Sequence, residues 1–299
     1  LYAHAMSPAE LTALANPSAG APTRLKAVAG DTEATLTWLP NATSTQTVKR
    51  STTSGGPYDI IADDVTDLTF TDTGLTNGVT YFYVVNGTNN LGNGPDSAEV
   101  SVTPSSLGLH LKFDESAGTV AADSSGRDRH ATLVNGPGFE AGRIDNGLGL
   151  TAASSQYATL PSGIVSGLTD FTISTWVKVN SFATWQRIFD FGTGTNNYMF
   201  LTTQYTTTAP NAAKLRFGIR TPSVAEQTVS GTDVALTAGV WTHVAVTRSG
   251  NTVSLYVNGS LAGSGTITLS PSDLGVTTQN YLGKSQWADP YFNGALDDF

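Results

Sequence analysis

The pattern of apolar and polar positions along most of this chain is that of short β-strands separated by turns. Between residues 24 and 104, runs such as TLTWLP, YDIIA and VTYFYVV recur at short intervals and are bounded by Gly, Asn, Asp or Pro. From residue 107 to 299 several runs are apolar on both faces. FTISTWVKV, for example, places its Phe, Ile and Val side chains on one side and Trp176 on the other. The pattern predicts an all-β protein with two sandwich domains.

The first residues follow a different pattern. LYAHAM, at residues 1–6, is a strand-sized segment without a Lys, Arg, Asp or Glu. SPAE, at residues 7–10, is a capping box with Ser7 as N-cap, and the leucines that follow recur at helical spacing. Asn16 and the proline after it end this segment. The sequence therefore predicts one short N-terminal helix, which cannot bury a core alone.

Composition narrows the classes of partner. The 299 residues carry 15 Lys and Arg against 24 Asp and Glu, a net charge of -9, which argues against nucleic acid because such proteins need a basic face. No apolar run approaches the roughly 20 residues of a membrane-spanning helix, so no membrane insertion is expected. There is no cysteine, which excludes disulfides and thiolate metal sites.

The cellular location follows from the same composition. A cysteine-free chain rich in Thr, Gly, Ser and Asn favours an extracellular or cell-surface bacterial protein. No signal peptide begins the sequence. We therefore expect a mature or partial form whose signal peptide is not in this chain, with a cytoplasmic protein as the alternative.

Residues 24–104 resemble a fibronectin type III domain. The resemblance rests on KRSTTSGGPYDIIA and on TDTGLTNGVTYFYVV, in which a turn at Asn77-Gly78 precedes a tyrosine that opens a strand. This arrangement is typical of a tyrosine corner in a Greek-key sandwich, here at Tyr81. Trp38, on the second predicted strand, is expected to be the buried aromatic residue of the core. We expect this domain to be a spacer.

Residues 107–299 resemble the laminin G-like, concanavalin A-like jelly roll of bacterial extracellular proteins. The blocks that carry the resemblance are LKFDESAGTVAADSSGRDRHATLVNG, WQRIFDFGTGTNNYMFLT, WTHVAVTRSGNTVSLYVNGSLAG and YFNGALDDF. The family implies a further strand and a short helix after the last block, whereas this chain stops at Phe299. Residues 1–16 are similar to that strand and helix. The predicted boundaries are a tail segment at 1–16, a linker at 17–23, and domains at 24–104 and 107–299.

The resemblance to the laminin G-like family also implies a calcium site. In that family an Asp-x-Ser-Gly loop lies beside the Asp-Asp of the last block, and Ca²⁺ prefers such oxygen ligands. The matching residues are Asp123 with Asp297 or Asp298, and residues 127–130 would add backbone carbonyls. An Asx-turn at Asp123 with a solvated Asp pair is the alternative interpretation, favoured by the positive charge of the arginines in this loop.

A carbohydrate site is the other candidate. Flat aromatic side chains in loop-like positions are expected to stack on sugar rings. The alternative is that each of them packs in the core or anchors a loop. The candidate ligand-binding residues are Trp185, Tyr205, Trp287 and Tyr291.

Catalysis is not expected from these motifs. Some enzymes of concanavalin A-like fold place paired carboxylates on one strand so that both face one cleft. Asp114 and Glu115 are adjacent, as are Asp297 and Asp298, so each pair points to opposite faces. The histidines have no nucleophile in a recognisable motif.

Two functions are consistent with these observations, and an enzyme is a weaker third. The first is a non-catalytic, carbohydrate-binding accessory region of a secreted polysaccharide-acting protein. The alternative is a structural repeat of a surface adhesin or filament, in which a neighbouring copy of the same protein donates the strand that the jelly roll lacks. The expected strand-donor residues are Leu1, Tyr2, Ala3, His4, Ala5 and Met6.

Overall fold

The computed structural model describes residues 5–8, 11, 18–104, 108–209, 211–232 and 234–299. It forms two compact units that divide near Gly108. In the N-terminal segment the Leu11 N–H donates to the Ser7 carbonyl at 3.0 Å, the spacing of an α-helical hydrogen bond. Most of the predicted donor strand, residues 1–4, lies outside the described residues. No helix in the described ranges is long and apolar enough to cross a membrane.

The first unit is a sandwich of two antiparallel sheets. One sheet has the order β1-β2-β5, and the other has the order β4-β3-β6-β7 with β8 also paired to β6. Its strands are β1 (Thr23–Ala29), β2 (Glu33–Leu39), β3 (Thr45–Ser51), β4 (Asp59–Val65), β5 (Thr69–Thr73), β6 (Tyr81–Asn89), β7 (Gly92–Asp96) and β8 (Val100–Val102).

The core of the first unit follows the predicted pattern. Trp38 is 3% exposed, on the inward face of β2 together with Leu36. The phenol oxygen of Tyr81 accepts the Thr76 N–H at 3.1 Å, which is the bond expected of a tyrosine corner. The Tyr83 hydroxyl donates to the buried Asp72 carboxylate at 2.7 Å. The fibronectin type III fold predicted for this part of the chain is confirmed.

The second unit is a larger sandwich of an eight-stranded and a seven-stranded sheet. Their orders are β18-β17-β16-β15-β22-β13-β10-β9 and β11-β12-β23-β14-β19-β20-β21. The strands are β9 (Val120–Ala121), β10 (Ala131–Val134), β11 (Gly138–Ala141), β12 (Asn146–Leu150), β13 (Tyr157–Leu160), β14 (Phe171–Val179), β15 (Arg187–Gly194), β16 (Asn197–Thr202), β17 (Arg216–Thr221), β18 (Val224–Ser230), β19 (Trp241–Ser249), β20 (Thr252–Val257), β21 (Ser260–Thr266), β22 (Gln279–Leu282) and β23 (Gly294–Asp297). The described residues of this unit also form two 3-10 helices, Ala152–Ser154 and Pro271–Leu274.

The last block of the sequence is an interior strand. β23 pairs with β12 on one side and with β14 on the other, and all four of its residues are buried. Beyond it, Phe299 and Leu111 exchange two backbone hydrogen bonds of 2.8 and 2.9 Å. These two bonds therefore pair the last residue with the strand-like segment near residue 111.

The eight-stranded sheet has one face in the core and a second face that carries a row of polar and aromatic side chains. On β16, Met199 and Leu201 point into the core, so Tyr198 and Phe200 point to the opposite face. Phe200 pairs with Asp190 of β15, and Asp190 pairs in turn with Tyr281 of β22. These three residues lie on one line across the strands. We call this surface the outer face.

Candidate functional site

A cavity of about 260 Å³ lies on the outer face of the eight-stranded sheet. Two tryptophans, Trp185 from the loop before β15 and Trp287 from the loop after β22, contribute to its walls. Trp287 is 36% exposed, so a large flat aromatic surface meets solvent here. The other lining residues are Arg187, Phe200, Glu226 and Asp289. The cavity thus combines aromatic surface with charged hydrogen-bonding groups.

Trp185 is held in a backbone conformation that bulky residues rarely adopt. Its φ is +70°, in the left-handed region. Its N–H donates to the Gln204 carbonyl at 2.8 Å, and its own carbonyl accepts from Arg187 Nη1 at 2.9 Å. Such a conformation costs on the order of 1–3 kcal/mol and is typical of functional sites. These two hydrogen bonds hold the backbone from which the indole ring projects.

Arg187 forms the base of the cavity. Only 3% of this residue is exposed, and its guanidinium carbon lies 4.0 Å from the Phe200 ring centre, 5.4 Å from that of Trp185 and 5.8 Å from that of Trp287. A guanidinium enclosed by aromatic rings gains cation–π attraction, which is stronger when the charge is desolvated. The three aromatic rings therefore surround one buried cation.

Two carboxylates compensate the buried charge. Arg187 Nε lies 3.4 Å from Asp190 Oδ2, and Nη2 lies 3.3 Å from Asp289 Oδ2. Asp190 is fully buried; its Oδ2 also accepts the Gln286 N–H, and its Oδ1 has no hydrogen-bond partner among the described residues. Burial raises the pKa of Asp190 to about 7, although the Arg187 charge opposes that shift.

The carboxylates that line the cavity are already engaged. Glu226 Oε2 accepts from the Tyr198 hydroxyl at 2.6 Å, and its Oε1 lies 3.8 Å from Arg216. Asp289 accepts from the Ser285 hydroxyl at 2.9 Å. Each group is thereby oriented, and each keeps further lone pairs that can accept from a ligand hydroxyl.

The structure brings three of the four predicted aromatic residues into one neighbourhood. Trp185 and Trp287 line the cavity, and Tyr205 is connected to it through Arg216, whose guanidinium lies 5.1 Å from the Tyr205 ring and 5.9 Å from that of Trp185. Tyr291 lies instead against Tyr157, with ring centres 6.0 Å apart.

Sequence reasoning missed Arg187 and the aromatic residues of β16. A signal for them was present, since NYMFLT is apolar on both faces. An all-apolar strand implies that both faces of its sheet are covered. Here the outer face is covered by the aromatic rings around Arg187. Arg187 begins an apolar strand, and a charged side chain at such a position is expected to be buried only with a partner of opposite charge.

Two of the three predicted metal residues, Asp123 and Asp298, contact His110. Asp123 Oδ1 accepts the His110 N–H at 3.0 Å, and the His110 ring nitrogen Nε2 lies 3.1 Å from Asp298 Oδ1. Asp297 is fully buried, and its Oδ2 accepts the N–H groups of Arg143 and Ile144. The predicted proximity of the Asp123 loop to the last block is therefore present in the structure.

These residues do not form a complete set of metal ligands. Within the described ranges, no group of three or more His, Cys, Asp or Glu residues is placed to hold a metal ion. N–H donors from the protein occupy Oδ1 of Asp123 and Oδ2 of Asp297. Oδ1 of Asp297, however, is buried without a partner. Calcium binding stays a prediction, with Asp297 Oδ1 as the atom that such an ion would satisfy.

Comparison with known families identifies the fold of the second unit. Residues 152–299 match the family model of the Concanavalin A-like lectin/glucanases superfamily. Domain 4 of AbnA, a GH43 extracellular arabinanase from Geobacillus stearothermophilus solved in complex with arabinotriose, has a TM-score of 0.53 and 23% identity, and the match covers 64% of this chain and 89% of that one. The second unit therefore has a concanavalin A-like fold.

Two further similarities concern short segments. Amylopullulanase from Thermoanaerobacter thermohydrosulfuricus is 43% identical over 72 residues, which is 24% of this chain and 5% of that protein. An Fn3-like protein from Clostridium thermocellum is 39% identical with a TM-score of 0.28, and the match covers 31% of this chain and 97% of that one. The chain thus spans only a small part of the curated relatives that it matches.

Proposed function

We propose that the second unit is a non-catalytic, glycan-binding module of a secreted polysaccharide-acting protein. The observation that carries this proposal is the cavity between Trp185 and Trp287. Flat aromatic faces pack on the C–H faces of sugar rings, while oriented carboxylates and a guanidinium bond the hydroxyl groups around the ring edge. A neutral sugar presents both kinds of surface.

The comparisons support a polysaccharide context. One relative is an amylopullulanase, and the domain of similar fold belongs to an extracellular arabinanase and was solved with a trisaccharide. A carbohydrate partner and a location outside the cell fit both similarities. The first unit then serves as the spacer that connects the module to other parts of a larger protein.

The state of the carboxylates supports binding rather than hydrolysis. A glycosidase needs one carboxyl group to give up a proton and a second one free to attack or to activate water. Asp289 is bonded to Arg187 and Ser285, and Glu226 accepts a hydrogen bond from Tyr198 and lies in an ion pair with Arg216. These groups are suited to hold hydroxyl groups in place.

Titration calorimetry with a panel of neutral oligosaccharides, including arabinotriose, tests the proposal. Trp287→Ala and Trp185→Ala each remove one aromatic face and should weaken binding by about ten-fold or more. Trp241→Ala is the matched control, because it removes a half-buried tryptophan from the seven-stranded sheet, where Lys178 packs on its ring.

Equal affinity for the wild type and both cavity variants would overturn the proposal, as would a failure of the wild type to bind any sugar, neutral or acidic. Reducing-sugar release by the purified chain, lost in Glu226→Gln or Asp289→Asn, would overturn the non-catalytic part. The alternative function, a surface repeat joined by strand donation, has its own test in the Discussion.

A further inference from the structure

A second cluster on the outer face has a chemistry different from that of the tryptophan cavity. Tyr157 of β13 and Tyr281 of β22 meet edge to face with ring centres 5.6 Å apart, and Tyr291 lies 6.0 Å from Tyr157. Lys284 Nζ lies 4.5 Å from the Tyr157 ring centre and 4.4 Å from that of Tyr281. We call these four residues the tyrosine–lysine cluster.

Within the described ranges, the polar ends of this cluster have no hydrogen-bond or ion-pair partner. Among the described residues, Lys284 has no carboxylate within ion-pair distance, and no hydrogen bond engages the three phenol hydroxyls. All four side chains are partly exposed. In a chain with 24 acidic and 15 basic residues, a lysine held in place without an acidic neighbour is unexpected. The cluster therefore offers an oriented ammonium and phenol donors to something outside the chain.

Two carboxylates that are close to this cluster in strand register or in sequence are already paired with Arg187. Asp190, opposite Tyr281 in the register, is buried and bonded to Arg187 and to the Gln286 N–H. Asp289, in the same loop as Lys284, is bonded to Arg187 and Ser285. Neither carboxylate is therefore in an ion pair with the lysine.

The sheet register sets the distance between the cluster and the tryptophan cavity. Phe200 of the cavity, Asp190 and Tyr281 occupy successive strands β16, β15 and β22 on one line. Two strand spacings correspond to about 10 Å. A short oligosaccharide that lies across the strands, with one ring in the cavity, brings the ring two units along the chain over the cluster.

We propose that the tyrosine–lysine cluster binds an anionic substituent, a carboxylate or a sulfate ester, on a sugar of the glycan that occupies the tryptophan cavity. The proposal rests on the proposed function and specifies its ligand as an acidic glycan. An ammonium pairs with such a group by charge-assisted hydrogen bonds, which are shorter and stronger than neutral ones. The phenol O–H groups add hydrogen-bond donors, and these bind a charged oxygen more strongly than the uncharged oxygen of a methyl ester.

The test compares matched acidic and neutral ligands by titration calorimetry at low ionic strength. The probes are an oligogalacturonate, the same oligosaccharide as its methyl ester, and a neutral and a sulfated oligosaccharide of equal length. Wild-type protein should bind an acidic form about ten-fold more tightly than its neutral counterpart, and added salt should reduce this preference. The two acidic probes distinguish a carboxylate from a sulfate ligand.

Three variants test which residues cause the preference for acidic ligands. Lys284→Gln removes the charge but keeps a polar hydrogen-bonding side chain, and it should abolish the preference for the acidic form, leaving affinity for the neutral form unchanged. Tyr281→Phe should reduce the preference in part. Lys178→Gln is the matched control, because Lys178 also packs on an aromatic ring, that of Trp241, but belongs to the other sheet and pairs with Glu140.

The outcomes separate this proposal from the function on which it rests. If the wild type binds neutral sugars through Trp287 but shows no preference for acidic ones, the cluster proposal is overturned and the glycan-binding function stands. A preference that survives in Lys284→Gln also overturns the cluster proposal. If no sugar of either kind binds, the glycan-binding function itself is overturned.

Discussion

The guanidinium carbon of Arg187 lies 4.0 Å from the centre of the Phe200 ring. The two residues stand on neighbouring strands, and the pair forms the base of the tryptophan cavity. Asp190 and Asp289 lie beside this buried arginine and aromatic rings enclose it, which offsets the cost of burying its charge. The geometry of the site therefore depends on an electrostatic network beneath it.

The first prediction concerns this network. Arg187→Met should lower the free energy of unfolding by about 3 kcal/mol, because it leaves the buried Asp190 without a cation. The measurement is urea unfolding at about pH 8, where the Asp190 carboxyl is ionised. The double variant Arg187→Met/Asp190→Asn should recover most of the loss. Arg216→Met is the control; its partly exposed ion pair with Glu226 should contribute less than about 1 kcal/mol.

The second prediction is a dependence of stability on pH. Burial raises the pKa of Asp190 to about 7, so between about pH 4 and pH 7 the folded protein holds a proton that the unfolded chain has released. Stability is therefore expected to fall as the pH rises through this range. Relative to Asp190→Asn, the wild type should lose on the order of 2 kcal/mol between about pH 5 and about pH 8 in urea unfolding. An equal pH dependence in both proteins would contradict the raised pKa.

The third prediction concerns the first unit. Tyr81→Phe removes the acceptor of the Thr76 N–H and should cost about 1 kcal/mol in thermal or urea unfolding. Sugar affinity should not change, since the first unit is expected to be a spacer. The control is Tyr58→Phe, which removes a bond to the exposed Glu99 that water can replace. A loss of affinity at an equal folded fraction would show that the first unit contributes to binding.

The fourth prediction is calcium binding near Asp123, Asp297 and Asp298. An ion that binds only the folded state stabilises it by mass action and so raises the melting temperature. The stabilisation is about 2.7 kcal/mol when the free ion concentration is 100 times Kd. Added calcium should therefore raise the melting temperature of the wild type, and chelation should lower it. Asp123→Ala should melt at the same temperature with and without calcium. An unchanged melting curve of the wild type in chelator would exclude the site.

The fifth prediction concerns residues 1–16. If they donate a strand to a neighbouring copy, full-length protein should form head-to-tail assemblies that a variant lacking these residues cannot form. Sedimentation of both proteins over a range of concentrations measures this difference. Full-length protein with added fragment 1–16 is the competition control and should show shorter assemblies. Equal size and stability of both proteins would exclude strand donation.

Much of the fold was predictable because its determinants are local. Alternating apolar positions and turn residues identify strands, and FTISTWVKV has the two faces in the structure that its pattern indicates, with Val177 in the core and Trp176 on the opposite face. The tyrosine corner at Tyr81 is also a short-range arrangement, since its partner is Thr76. Such features depend on residues that are close in the chain, and the sequence alone determines them.

The site depended on strand order, which local patterns do not contain. A period of two assigns a side chain to one face of its own strand but does not say which strands are neighbours. Only the order β16-β15-β22-β13 brings Phe200 into line with Tyr281 and places Trp287 beside Arg187, about a hundred positions away in the chain. The same order separates Tyr291 from the tryptophans with which the sequence grouped it. The sequence alone thus determined two β-sandwiches and the kinds of side chain that they carry, whereas long-range strand pairing decided which of those side chains meet on the outer face.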